Sequence, residues 1–358
     1  MKTTDRFSSL NTGSRTTGIG SLPHHNVDAA LHYCFKFGIP FLPQIPIRNS
    51  WEYMIAQALE GLPGLQLEEE GQVFLNWDIW QSESHRLEKR LTEAFAKGPG
   101  DPAAFEGFEP SPSLSSCWQP FLWELQERNC KVAKVQIAGP LTCQWSLRLK
   151  DHSPADRHSE LGTQIFRLIL ARALALVKRM LANGVQPIVF LDEPGLYALA
   201  LSQPKHVVAL QELKLTIQTL RKEGAIVGMH CCSNTLWEPI LKLGIDILSL
   251  DTQLSLNQAL SAGEGKPMIE YVNGGGRLAL GVIPTTRSSV ISSLNSKEIW
   301  NGVVEIFAAN WGQDSERIQR VLKEALFTPA CGLALHSTSD AELVLEKLIE
   351  VYESFDFQ

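Results

Sequence analysis

Short runs rich in apolar and β-branched residues alternate along the chain with longer stretches in which apolar residues recur every three or four positions. Strands buried on both faces read as near-continuous apolar runs, and amphipathic helices read with a 3.6-residue period, so the alternation predicts helices joining the strands of a parallel sheet. Eight segments read as strands: residues 16–21, 39–42, 132–138, 187–191, 225–230, 245–250, 277–283 and 325–328. The clearest helix, about 155–182, aligns Ile165, Leu168, Ile169, Leu176 and Met180 along one side. Ser153 and Pro154 read as its N-cap and first residue, and Gly184 as its stop.

Eight βα units point to an α/β fold, a single (β/α)8 TIM barrel over residues 1–358. Two doubly wound domains are disfavoured because no strand is followed by a G-x-G-x-x-G turn, and Gly274-Gly275-Gly276 lacks both that spacing and the helix after it. The interval 63–129 exceeds an ordinary connection and reads as an insertion after the second βα unit. A hairpin and a helix near 82–96 are expected in it, placed to cap the barrel mouth or to form a dimer contact. No internal repeat is visible, and the Pro- and Ser-rich residues 107–116 read as a loop.

Composition removes several function classes. Of 358 residues, 32 are Lys or Arg and 39 Asp or Glu, and the net charge of −7 offers no electrostatic footprint for nucleic acid or an anionic membrane. An apolar share of 44% is enough for a sizeable core and argues against disorder, collagen and coiled coil. No run approaches the roughly 18 apolar residues of a membrane span, and the polar residues 1–17 lack the apolar stretch of a signal peptide, so a cytoplasmic setting is expected. Seven cysteines, an odd number in a long chain, point to reduced thiols, some of them available to a metal.

Barrel enzymes carry their reacting groups at the carboxyl ends of the strands, and here those ends are rich in metal-binding types. The fifth strand runs into Met229-His230-Cys231-Cys232-Ser233-Asn234, the sixth ends in Ser249-Leu250-Asp251, and the eighth leads into Thr328-Pro329-Ala330-Cys331-Gly332. Side chains alternate along an extended chain, so His230 and Cys232 share a side and Cys231 faces away. One imidazole, two thiolates and a carboxylate form a set suited to tetrahedral Zn2+ with one exchangeable position. A lone H-x-C is ordinarily a hydrogen-bonded core histidine beside small buried cysteines; the convergence of three strand ends favours the metal. Cys34, Cys117, Cys130 and Cys143 have no such partners and read as packing residues.

Strand four ends in Leu191-Asp192-Glu193-Pro194, where adjacent carboxylates face opposite ways, so at most one looks into the mouth and the other is open to a structural, helix-capping role. Strand one delivers Gly18-Ile19-Gly20-Ser21-Leu22-Pro23, either a tight turn or a nest of N–H groups and a hydroxyl for a carboxylate. His24 and His25 read as surface residues.

Six motifs, Thr16-Thr17-Gly18-Ile19-Gly20-Ser21-Leu22-Pro23, Ala138-Gly139-Pro140-Leu141-Thr142, Leu191-Asp192-Glu193-Pro194, His230-x-Cys232, Asp246-Ile247-Leu248-Ser249-Leu250-Asp251 and Pro329-Ala330-Cys331-Gly332-Leu333, resemble in sequence and order the catalytic barrel of cobalamin-independent methionine synthase. The likeness covers nearly the whole chain outside the insertion. His230 to Asn234 also resembles the zinc motif of corrinoid-dependent coenzyme M methyltransferases, which share a wider superfamily with uroporphyrinogen decarboxylase. The resemblance implies a (β/α)8 fold, catalytic Zn2+ and methyl transfer to a thiol, most directly homocysteine to give methionine. It also implies that His230, Cys232 and Cys331 are zinc ligands, with Asp251 where the family has a glutamate, that Ile19 and Ser21 belong to the part gripping the amino acid carboxylate, and that Asp192 pairs with its amine.

Three departures stand beside the likeness. The family's His-Gly-Glu after strand two is replaced by Pro43-Gln44-Ile45, its Asp-Ile-His after strand seven by Pro284-Thr285-Thr286, and the additional folate-holding barrel of its full-length enzymes has no counterpart in these 358 residues. A methylcorrinoid, free or on a docking corrinoid protein, is therefore the expected donor. The alternatives are a uroporphyrinogen decarboxylase-like lyase and a non-catalytic zinc- or corrinoid-binding barrel.

Overall fold

The computed structural model describes Phe7, Leu10 and residues 13–68, 71–98, 100–285, 288–312 and 314–355. In chain order its strands are β1 (Leu65–Leu67), β2 (Val73–Leu75), β3 (Val132–Ala138), β4 (Arg148–Leu149), β5 (Gln186–Asp192), β6 (Ile226–Cys231), β7 (Ile247–Asp251), β8 (Arg277–Ile283) and β9 (Leu326–Pro329). Six of them form one sheet in the order β3-β5-β6-β7-β8-β9, every neighbouring pair parallel. Helices lie between successive strands, as parallel pairing requires.

This sheet is curled. Val132, Ile188, Phe190, Ile226, Ile247, Ala279 and Leu326, which come from all six strands, pack with Ile39, Phe7 and Leu10 into one cluster separate from the main core. Residues from the first and last strands meet in one cluster only if the face they share is concave. The main core lies on the other face, against helices such as Ser159–Ala182, which buries Ile165, Leu168, Ile169, Leu176 and Met180. Each such aliphatic side chain contributes roughly 1.5–3 kcal/mol against the entropy of ordering the chain.

The segments expected as the first two strands do not form ladders. They make isolated parallel bridges, Thr16 to Phe327, Ser21 to Gln44 and Phe41 to Lys134. Around these bridges Thr17 N–H donates to Phe327 O (3.1 Å), Ile39 N–H to Thr16 O (3.0 Å) and Leu42 N–H to Lys134 O (2.9 Å). Pro40 and Pro43 have no N–H to give a ladder, and Gly20 sits at φ +152°, outside the strand region. The pattern expected as eight strands is thus present as six strands and two bridged segments.

The long helix also starts later than its sequence signals suggest. Ala155–Arg157 is a 3₁₀ turn and the α-helix begins at Ser159. Ser153 is not the cap, because its carbonyl accepts from Leu149 N–H (2.9 Å) and its neighbour Pro154 bridges Arg148. The stop at Gly184, with φ +71°, is where it was expected.

Within the insertion, β1 and β2 form the expected hairpin, and β2 pairs in parallel with β4. The helix is longer than its expected 82–96, running Trp77–Lys97, because Asn76 caps it by accepting from Ile79 N–H (3.2 Å). It buries Trp80, Leu87, Leu91 and Ala94, and Trp80 Nε1 donates to Gln164 Oε1 (2.9 Å), which ties the insertion to the flank of Ser159–Ala182. No helix among the described residues is long and apolar enough to cross a membrane.

Candidate metal and substrate site

Parallel strands bring their carboxyl ends to one face, and register decides which side chains meet there. His230 on β6 stands opposite Ser249 on β7, and Asp192 on β5 opposite His230. Cys232 follows β6 directly, and Cys331 follows β9 by two residues. His230, Cys232 and Cys331 each offer one ligand atom, and these atoms lie within 4.8 Å of one another.

His230 Nδ1 lies 3.0 Å from Ser249 Oγ, while Nε2 is buried without a hydrogen-bond partner. An orphaned buried polar atom costs about 1–3 kcal/mol, so a ring held at one nitrogen and bare at the other, beside two sulfurs, has the chemistry of a metal ligand. The thiols differ in environment. Donation from Cys232 and the neighbouring His230 imidazole pull the Cys331 thiol down to about 4 against burial, while Cys232, as the donor, is pushed up. The pair thus favours one thiolate held by its neighbours, and a cation would favour the thiolate form of both.

The remaining expected residues separate into three groups. Asp251 is not drawn into the cluster: its Oδ1 accepts from Gln253 N–H (2.7 Å) and Leu254 N–H (3.0 Å) and closes the turn after β7. We therefore expect Asp251→Ala to leave the metal content within experimental error of the parent, measured by elemental analysis, while loosening this turn. Asp192 is nearly buried with Oδ1 unpartnered, an acceptor waiting for a donor. Burial pushes its carboxyl up to about 6, opposed by the charges of Lys134 and His230. Ser21 lies against the loop after β9: Leu333 N–H donates to Ser21 O (2.9 Å), and a Cβ on Gly332 would fall 2.2 Å from Ser21 Oγ. Ile19 is buried, with its carbonyl accepting from Lys134 Nζ (2.6 Å). Ile19 and Ser21 therefore belong to one loop stacked beside Cys331. Pro284 and Thr285 are half-buried, and Thr286 lies outside the described residues.

Glu193 takes the structural role left open by the sequence, but for a distant helix. Fully buried, it accepts from Leu141 N–H (3.1 Å), Thr142 N–H (2.7 Å) and Thr142 Oγ1 (2.6 Å) at the start of Pro140–Ser146. Burial pushes this carboxyl up to about 7 from an ordinary 4.5, although its three donors favour the charge. Between these two values the folded chain holds a proton that the unfolded chain releases, so this group's contribution to stability declines as pH rises from about 4.5 to about 7. In metal-free protein, the urea midpoint should fall across that window, and Glu193→Gln should flatten the slope.

Lys134 and Gln136 belong to no motif, and Ser249 stands in one without a role assigned by the sequence, yet the first two carry a signal. In Val-Ala-Lys-Val-Gln-Ile-Ala the polar residues stand two apart within an apolar strand, which puts them on one face. Burial pushes Lys134 down to about 8, with Asp192 opposing.

No family model matches the chain, and neither does any curated protein. Among solved structures, a methyltransferase from Methanosarcina mazei aligns over 98% of this chain and 99% of its own at 12% sequence identity and a TM-score of 0.56. At that identity the likeness concerns architecture: this chain shares the overall fold of the Methanosarcina mazei methyltransferase from end to end.

Proposed function

We propose that the chain is a zinc-dependent thiol S-methyltransferase on a (β/α)8 barrel, with homocysteine as acceptor and a methylcorrinoid, free or carried by a corrinoid protein, as donor. The observation that carries the reading is the His230, Cys232 and Cys331 group with its unpartnered Nε2. The methyltransferase with the same fold supports the reaction class. The bridges of residues 16 and 21 to their neighbours, and of Phe41 to Lys134, support closure of the six-stranded sheet into the barrel.

His230, Cys232 and Cys331 would hold Zn2+, leaving a fourth position, and Ser249 orients the imidazole. When bound, Zn2+ supplies a Lewis acid that keeps a coordinated thiol in its thiolate form at neutral pH. Asp192 Oδ1 accepts from the substrate ammonium, and the loop carrying Ile19 and Ser21 receives the carboxylate. The thiolate sulfur attacks the methyl carbon; the carbon–donor bond breaks with its electron pair on the donor, and the thiol proton leaves to solvent.

The mouth suits a bulky donor, or the protein that carries it, whose contact face brings little net charge. Residues 194–203, 232–236, 252–255 and 331–339, which follow β5, β6, β7 and β9, contain no Asp, Glu, Lys or Arg. They expose Tyr197, Leu254 and Leu335 at 73%, 64% and 90%. Charge depletion with exposed apolar side chains marks an interaction surface. The test is direct: zinc-loaded protein mixed with methylcobalamin and homocysteine should form methionine and shift the corrinoid spectrum. Bound zinc with neither change would reduce the reading to a zinc-binding barrel.

A further inference from the structure

Lys134 is fully buried in the middle of β3, yet none of its hydrogen bonds goes to a carboxylate. Its Nζ donates to Ile19 O (2.6 Å) and to Gln136 Oε1 (3.0 Å), and Gln136 Nε2 donates onward to Leu42 O (2.7 Å). The ammonium also lies 4.7 Å from the centre of the Phe190 ring. Taking an ammonium out of water is costly, and although the Asp192 carboxylate favours the charge, the hydrogen bonds go to a carbonyl and an amide, a poor repayment in stability where a methionine of similar length would pack without that cost.

The place of this chain explains it better. Residues 16–22 and 39–44 are the two parts of the curled sheet held by isolated bridges rather than ladders. In a ladder the Ile19 carbonyl would accept from a neighbouring backbone N–H; here it accepts from Lys134. Gly20 then packs flat on the Gln136 side chain, where a Cβ would come within 2.5 Å of Cδ, and φ +152° is open to it as a glycine. Backbone bonds hold the far side of this stretch, Gln44 N–H to Gly20 O (3.1 Å) and Leu22 N–H to Gln44 O (2.8 Å), and the buried cation supplies the partner that Ile19 lacks, setting the path of Ile19-Gly20-Ser21 beside Gly332 and Cys331.

We propose that Lys134, through Gln136, is the positioning residue for amino acid recognition: it clamps the Ile19–Ser21 loop in the conformation that receives the substrate carboxylate. This rests on the thiol methyltransferase reading for the identity of the ligand, but the clamp itself does not.

Two measurements on Lys134→Met test it. Amide hydrogen exchange over residues 18–22 should rise at least about tenfold, while exchange in β6 and β7 and the zinc content stay at parent values. With methylcobalamin as donor, KM for homocysteine should rise about tenfold or more at a kcat within about threefold, and methylation of 2-mercaptoethanol, which lacks amine and carboxylate, should be unaltered. A general packing defect would instead slow both thiols alike. Gln136→Leu, which breaks the same chain but keeps the Lys134 charge that acts on Asp192, should act in the same direction and serves if Lys134→Met does not fold; a KM rise seen in Lys134→Met and absent in Gln136→Leu would trace to Asp192 and overturn the clamp as its cause. Unchanged exchange at 18–22 in a folded variant overturns the clamp whatever the enzyme's substrate. Increased exchange with parallel losses for both thiols overturns the recognition role. Failure of the parent protein to methylate either thiol would refute the functional reading, while the exchange result still decides the clamp.

Discussion

Serine in place of Cys232 or Cys331 is expected to lower bound zinc from about one per chain to a small fraction of that, and methyl transfer by at least about a hundredfold. The magnitude has a floor: loss of even an outer partner of a metal ligand typically costs 10–100-fold in affinity or activity, and these substitutions remove ligands themselves. A serine hydroxyl is a poor zinc donor because its oxygen stays protonated near neutral pH, whereas Cys331 is already drawn toward thiolate by Cys232 and His230. Ser249→Ala should give a smaller version of the same defect, since it frees His230 Nδ1 without removing Nε2. Elemental analysis of the purified variants, with methionine formation measured in parallel, checks the order. Full zinc occupancy in both cysteine variants would rule out the metal site.

The largest stability effect is expected from Phe190→Ala. Phe190 is fully buried on the concave face of the sheet, in the small cluster with Ile188, Ile226 and Ile247 and beneath the Lys134 ammonium. That cluster is enclosed by strands on its sides, so it has little freedom to collapse into a void, and the loss should reach about 3–5 kcal/mol. A lower urea midpoint at unchanged m is the signature of lost packing with the same overall fold. Trp123→Ala, at a side chain 58% exposed on the outer helices, should stay within about 0.5 kcal/mol of the parent. Equal effects at the two positions would mean that the inner cluster does not bear on stability as its enclosure requires.

The sheet was legible where strands are buried on both faces. β3, β8 and the segments around β5, β6, β7 and β9 lie where continuous apolar runs stand, because such runs have few other stable uses. Legibility failed at residues 16–21 and 39–42, whose composition is strand-like but whose prolines and glycines deny them ladders. It failed also at Ser153-Pro154, a sound local cap signal overridden by a tertiary bridge to Arg148. At the site, His230, Cys232 and Cys331 were visible as residue types on converging strand ends, and the structure gathers them. Asp251 was equally visible as a type, but a carboxylate one residue from a turn has nearby N–H groups to accept from, and these hold it.

Residue order alone therefore determined the six strands buried on both faces, the body of the long helix and the residue types at the strand ends, since these depend on periodicity and local chemistry. Tertiary structure decided the partners: that Glu193 serves the helix after β3, that Ser249 fixes His230, and that Lys134 takes the Ile19 carbonyl. These pairings join residues 19 to 115 positions apart, and their existence depends on register and sheet curvature, quantities that local sequence does not encode.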